Sequence, residues 1–363
     1  MAEITQQQIV ATLKTIDSGT ASIDIVARGW VKDILIKDGH VTLTLAVPAK
    51  LGPQLEPVRA AAERAVHALP GVLSVTAVLT AETAREKTAP PAQKSGREVI
   101  ALPSVKYIVA VASGKGGVGK STTACNIALA LKGLGLRVGI LDADIYGPSM
   151  PKLFGLRAKP TVVGERTLVP LDGYGVKVMS IGFVVDEAKA LVWRGPMVMG
   201  AITQMLRDVA WGALDVLIVD MPPGTGDAQL TMAQSAHLSG AVIVSTPQDL
   251  ALIDARKGVA MFQQVDVPIL GIVENMSYFV CDECGKRHEI FSHGGAAKEA
   301  ARLGVPLLGE IALDPIIRER SDAGLPIVVT EPDSESAAAY RSIAQQIWAR
   351  LQAGDSGSRP PVR

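Results

Sequence analysis

The chain has 363 residues, 48% of them hydrophobic, with Lys+Arg and Asp+Glu balanced at 36 each. At that length two domains are expected, and zero net charge offers no field to gather nucleic acid or an acidic membrane. Three cysteines, Cys125, Cys281 and Cys284, make no disulfide framework, and no apolar stretch approaches the ~20 residues that span a bilayer.

From its start, the chain shows no basic segment followed by an apolar core within thirty residues. The expectation is a cytoplasmic protein of a reducing compartment, without a secretory signal. Residues 4 to 80 read as a small α/β module. Trp30 to Ile36 is strand-like, Asp38-Gly39 marks a turn, and Val41, Leu43, Leu45 and Val47 alternate with smaller or polar residues. Val58, Ala62, Ala65, Val66 and Leu69 fall at helical spacing before Pro70-Gly71, and Val72 to Leu79 supplies a further strand. No chemistry-bearing cluster stands out here, since His40 and His67 are isolated. Residues 81 to 104 turn to charge and proline, the composition of a solvated tether.

Residues 105 to 350 read as a nucleotide domain. Tyr107 to Ala112 is a continuous apolar run, as in a strand buried on both faces. Gly114-Lys115-Gly116-Gly117-Val118-Gly119-Lys120-Ser121 follows and fits the phosphate-loop pattern, with Thr122 next. Ala124, Ile127, Ala128, Leu131 and Leu134 then recur at helical spacing. In that context backbone N–H groups and a helix N-terminus hold phosphates, Lys120 reaches the β- and γ-phosphates, and Ser121 holds Mg²⁺.

Two more apolar strands end in carboxylates: Val138 to Leu141 runs into Asp142-Ala143-Asp144, and Val216 to Val219 into Asp220. Carboxylates at strand C-termini face the crevice of the phosphate loop. Asp220 is placed to hold Mg²⁺ through water, and Gly224-Thr225-Gly226 to sense a γ-phosphate. Asp144 is the first choice to position the attacking water, with Asp142 its alternative. Strands at 241–245 and 269–273 flank a helix over 250–264, completing a doubly wound parallel sheet. The last strand leads to Asn275, a candidate for the base. Because no Lys or Asp of a guanine site follows it, ATP is expected rather than GTP.

Cys281-Asp282-Glu283-Cys284 is not explained by nucleotide binding. Two thiolates hold one edge of a metal or cluster and need partners. A second subunit can supply them by two-fold symmetry, for Zn²⁺ or [4Fe–4S], or His288 and His293 can within one chain. A redox dithiol and an inert pair are the remaining readings. Cys125 reads as a small buried apolar residue.

The second lysine, Lys115, makes the loop resemble the deviant Walker A of ATPases that act as nucleotide-bridged dimers. Within that group the chain resembles the Mrp (ApbC-like) iron–sulfur cluster carriers, on the loop, Leu141 to Ser149, Arg194 to Met197, Asp220 to Asp227, Val273 to Ser277, the cysteine pair, Phe291 to Gly295 and Leu308 to Ile311. The first 80 residues look like a MIP18-like domain, without the cysteine some versions carry. The resemblance implies an ATP-hydrolysing homodimer in which Lys115 reaches the other subunit's phosphates. It implies that Cys281 and Cys284 of two subunits share a labile [4Fe–4S] cluster bound for recipient apoproteins, with scaffold proteins as further partners. A partitioning ATPase or a zinc-bridged targeting ATPase is the alternative. The expected tail, residues 351 to 363, is disordered.

Overall fold

A computed structural model of the chain describes residues 4–18, 23–37, 40–48, 55–82, 100–164, 166–184, 195–292 and 294–355. Asp38-Gly39, most of the tether, Arg194, His293 and the last eight positions lie outside the described residues. The chain divides into two compact units, residues 1–93 and 94–363.

The first unit runs α1 (Gln6–Leu13), β1 (Val31–Lys37), β2 (His40–Pro48), α2 (Glu56–His67) and β3 (Ser74–Glu82). Its sheet has the order β1-β2-β3, with β1 antiparallel and β3 parallel to β2. The alternation along β2 buries Val41, Leu43, Leu45 and Val47 beside Val66 of α2 and Ile9 and Leu13 of α1. Helix α1 was not anticipated from periodicity; a capping box starts it, Thr5 accepting from the Gln8 N–H while the Gln8 side chain accepts from the Thr5 N–H.

The second unit begins with β4 (Val105–Ala112), α3 (Lys120–Gly133), β5 (Val138–Asp142) and α4 (Met150–Leu153). A hairpin β6 (Val162–Val163) and β7 (Thr167–Leu168), then β8 (Leu171–Gly173) and β9 (Val176–Ser180), follow. Next come α5 (Gly195–Arg207), β10 (Leu214–Asp220), α6 (Asp227–Ser235), β11 (Gly240–Ser245), α7 (Asp249–Gln264) and β12 (Ile269–Glu274). A second hairpin, β13 (Phe279–Val280) and β14 (Arg287–His288), precedes α8 (Gly295–Leu303), β15 (Leu307–Glu310), α9 (Pro315–Ala323), α10 (Ile327–Thr330) and α11 (Glu335–Asp355).

The main sheet has the order β15-β12-β11-β4-β10-β5-β9-β8, parallel except for β8 at one edge. Apolar runs made the inner strands recognisable because both faces are covered. On one face Ile127, Ile140, Val242, Tyr340 and Ile347 share a core; on the other, Ile202, Leu217, Ile243 and Phe262 do. From β4 the chain winds to β5 on one side and later to β11 on the other, so the loop after β4 opens at a topological switch point.

Two sequence boundaries shift. Glu82 still belongs to β3, and Ile100 is buried and bridges Ala236, so the tether is shorter than 81–104. At the other end α11 continues to Asp355, with Leu351 buried in the core, so residues 351–355 are helix rather than tail.

Candidate nucleotide and thiol site

The phosphate loop is shaped by close approaches. Gly117 and Gly119 have φ of +81° and +79°, where a side chain is strained. A Cβ on Gly119 would lie 2.2 Å from Asn275 Nδ2, and one on Gly114 would lie 2.2 Å from the Asp254 backbone of α7. Asn275 is nearly buried and donates to the Val118 carbonyl at 2.9 Å, bracing the loop from β12. Ser113 Oγ donates to the Lys115 carbonyl at 2.8 Å. Lys115 itself makes no ion pair among the described residues.

Lys120 is buried, with Nζ 2.6 Å from Asp220 Oδ1, 3.1 Å from Ser121 Oγ and 4.0 Å from Asp144 Oδ2. Burial pushes the Asp220 carboxyl up and the Lys120 ammonium pulls it back down. Asp220 Oδ2 is buried and has no hydrogen-bond partner among the described residues. That orphaned acceptor beside the Ser121 hydroxyl fits a hydrated divalent cation.

The two aspartates after β5 differ in surroundings. Asp142 is fully buried, its Oδ2 accepting from the N–H groups of Ser149 and Met150 and from Ser180 Oγ, its Oδ1 from the Asp144 N–H. Burial and the Asp220 charge push its carboxyl up to about 7. Asp144 accepts from the Gly147 N–H at 3.2 Å through Oδ1, while Oδ2 faces Lys120. Burial raises it, and Lys120 opposes that rise.

The Gly224-Thr225-Gly226 turn is tied to the loop as well: the Gly224 N–H donates to the Ser113 carbonyl at 2.9 Å. Gln229 holds that turn by donating to the carbonyls of Pro222 and Pro223, a role the sequence did not announce.

A cavity of about 390 Å³ extends from Gly119, Ser121 and Thr122 to Asn275, Leu313 and Ile317. The segment Ala312–Asp314 that lines it escaped the sequence reading, because nothing in its composition marks a ligand wall.

Cys281 and Cys284 sit apart from this cluster, on the turn between β13 and β14. The Cys281 N–H donates to the Lys286 carbonyl and the Gly285 N–H to the Cys281 carbonyl, with Gly285 at φ +67°. The Cys284 and Glu283 N–H groups hold the Cys281 thiol below its ordinary range. Cys281 is half-buried and Cys284 exposed. Among the described residues no three His, Cys, Asp or Glu side chains converge, so His288 does not complete a site with the pair. Cys125 is buried in α3, as expected, and burial pushes its thiol up. Among the described residues, no helix is long and apolar enough to cross a membrane.

A family model described as the NUBPL iron-transfer P-loop NTPase matches residues 104–348, and one described as an iron–sulfur cluster assembly protein matches residues 6–78. An iron–sulfur cluster carrier protein of Synechocystis is 46% identical over 354 residues, covering 96% of this chain and 98% of its own. The mouse iron–sulfur cluster transfer protein NUBPL is 52% identical over 253 residues, 69% of this chain and 79% of its own. A nucleotide-binding protein of Archaeoglobus fulgidus, solved in complex with ADP, shares 43% identity at a TM-score of 0.55, covering 61% of this chain and 87% of that one.

Proposed function

Because this chain belongs to the NUBPL iron-transfer P-loop NTPase family, we propose that it is an ATP-dependent carrier of iron–sulfur clusters. It binds ATP on the Gly114–Ser121 loop and delivers its cluster to recipient apoproteins. The observation that carries the reading is the hairpin after β12: it presents two thiols, one of them acidified, and no third ligand in the same chain among the described residues.

Two thiols are half of a four-thiolate shell, so a second copy supplies the other half and a [4Fe–4S] cluster is the cargo. Ligands divided between subunits suit delivery, since separation of the subunits removes half of them. Lys115, half-exposed and without an ion pair among the described residues, is available to the phosphates of the partner copy. The cytoplasm, a reducing compartment, keeps the pair as thiols.

For ATP, Lys120 exchanges Asp220 for the β- and γ-phosphates. Ser121 Oγ and, through water, Asp220 Oδ2 would hold Mg²⁺, which neutralises charge on the transferred phosphoryl group. Asp144 Oδ2 faces Lys120 and orients the water that attacks the γ-phosphorus. The bond from γ-phosphorus to the bridging oxygen breaks, leaving ADP and phosphate. Asp142 serves structure, because every hydrogen bond it accepts holds the loop from Asp144 to Met150 or the end of β9. Asn275 commits its amide N–H to Val118, which leaves Oδ1 to accept from the adenine amino group; guanine presents a carbonyl there.

Anaerobic reconstitution with iron and sulfide tests the reading. The chain should take up cluster with a visible thiolate-to-iron band and pass it to an apoprotein, and the Cys281→Ala, Cys284→Ala variant should do neither. Unchanged iron uptake by that variant sinks the assignment.

A further inference from the structure

The four residues after β12 join the nucleotide cavity to the cysteine hairpin, and each is held by a different neighbour. Asn275 braces the phosphate loop. Met276 lines the cavity at φ +55°, a conformation that a non-glycine residue adopts only when its surroundings enforce it. The Ser277 N–H donates to the Ile311 carbonyl at 2.9 Å, and the Tyr278 carbonyl accepts from the Leu313 N–H at 2.6 Å. Segments 275–278 and 311–314 are therefore laced together between the cavity and Cys281.

Ala312, Leu313 and Asp314 are also a shared wall. One side lines the 390 Å³ cavity; the other lines a second cavity, about 170 Å³, with Tyr278 and Val280 of the hairpin stem. A base seated against Leu313 thus bears on a strap that is hydrogen-bonded to Tyr278.

The hairpin's return strand is fastened at the same place. The Arg287 guanidinium lies 3.7 Å from the centroid of the Tyr278 ring and 3.1 Å from Glu310 Oε2 at the end of β15. Arg287 thereby clamps β14 to the main sheet across the ring whose backbone touches the strap. The cysteine turn itself is exposed from Asp282 to Lys286.

We propose that Arg287 is a positioning residue that couples occupancy of the nucleotide cavity to the opening of the Cys281–Cys284 hairpin. It rests on the assignment of that cavity to nucleotide. With nucleotide present the strap is fixed, the Tyr278 ring is held, and Arg287 closes over it. Without nucleotide the strap loosens, and the clamp releases the hairpin.

Hydrogen exchange of segment 279–288 in the full chain, free of metal, with and without MgADP, tests this. The informative amides are those of Cys281 and Gly285, which close the hairpin's own turn. In the parent chain MgADP should slow their exchange about fivefold, the signature of a local opening linked to ligand. Arg287→Ala should exchange about fivefold faster without nucleotide, as expected for loss of a cation–π contact and an exposed ion pair. It should no longer respond to MgADP, although its ADP affinity stays within about twofold of the parent, an indication that the loop is intact. Tyr278→Phe keeps the ring and should keep the response; Tyr278→Ala should lose it. A response that persists in Arg287→Ala, or a parent chain that binds ADP without any change in the hairpin, overturns the coupling alone. A chain that binds no ADP overturns both this coupling and the nucleotide assignment.

Discussion

Lys120 Nζ rests 2.6 Å from Asp220 Oδ1, so the phosphate-loop lysine and the carboxylate that ends β10 form one buried ion pair. Each group is desolvated, and each is what makes the other's burial tolerable. The pair also ties the first residue of α3 to the end of β10, with Ser121 Oγ 3.1 Å and Asp144 Oδ2 4.0 Å from the same ammonium.

Removing one partner should therefore cost stability as well as binding. Lys120→Ala should lose detectable ATP binding and about 3 kcal/mol of unfolding free energy at neutral pH, the usual penalty for stranding a buried charge. Urea unfolding of the two proteins checks it. A variant that loses ATP binding at full stability would mean the pair has no structural weight.

Asp142 makes the stability pH-dependent. Its carboxyl is pushed up to about 7 from an ordinary 3.8 by burial and by Asp220, so the folded chain retains a proton that the unfolded chain releases. The stabilisation is complete below about pH 3.8 and is lost as pH rises through about 7. Asp142→Asn cannot titrate. The stability of the parent relative to this variant should fall between pH 5 and pH 8; a difference that stays flat or grows contradicts the assignment.

Asn275 should set the choice of base. Asn275→Ala should weaken ATP binding about tenfold, the loss of one loop brace and one base contact, and should narrow the preference for ATP over GTP. Competition binding with both nucleotides measures this. An unaltered ratio of the two affinities would remove Asn275 from base recognition.

The three cysteines should separate by reactivity. Cys281 should alkylate with a midpoint below the ordinary 9.0, because the N–H groups of Cys284 and Glu283 favour its thiolate. Cys125, whose thiol burial pushes up, should react only after unfolding. Mass spectrometry of alkylated peptides across pH distinguishes them, and early labelling of Cys125 would contradict the core placement.

Much of this site was legible because chemistry and fold coincide in the same residues. A strand buried on both faces leaves a run such as Val216 to Val219, and the residue that ends it must face the crevice, which located Asp220 and the Asp142-Ala143-Asp144 pair. The division of labour inside that pair was not legible. Two identical side chains two residues apart differ only in what surrounds them, and Ser149, Met150 and Ser180 reach Asp142 through the fold. Arg287 escaped for the same reason: Tyr278 and Glu310, which give it a role, lie nine and twenty-three residues away in sequence. Helix α1 was hidden by a short apolar period, Ile9 and Leu13, though Thr5 and Gln8 carried a start signal. The end of α11 was misjudged because no large apolar residue follows Leu351 before Asp355, and only packing shows that Leu351 is buried.

In the proposed function each chain offers half of a cluster site. Native mass spectrometry of anaerobically reconstituted protein addresses it most directly. The expected result is a dimer heavier than two chains by one [4Fe–4S] cluster, with that mass absent from the Cys281→Ala, Cys284→Ala variant. A monomer that carries metal by itself, or a dimer whose added mass is zinc, would contradict it.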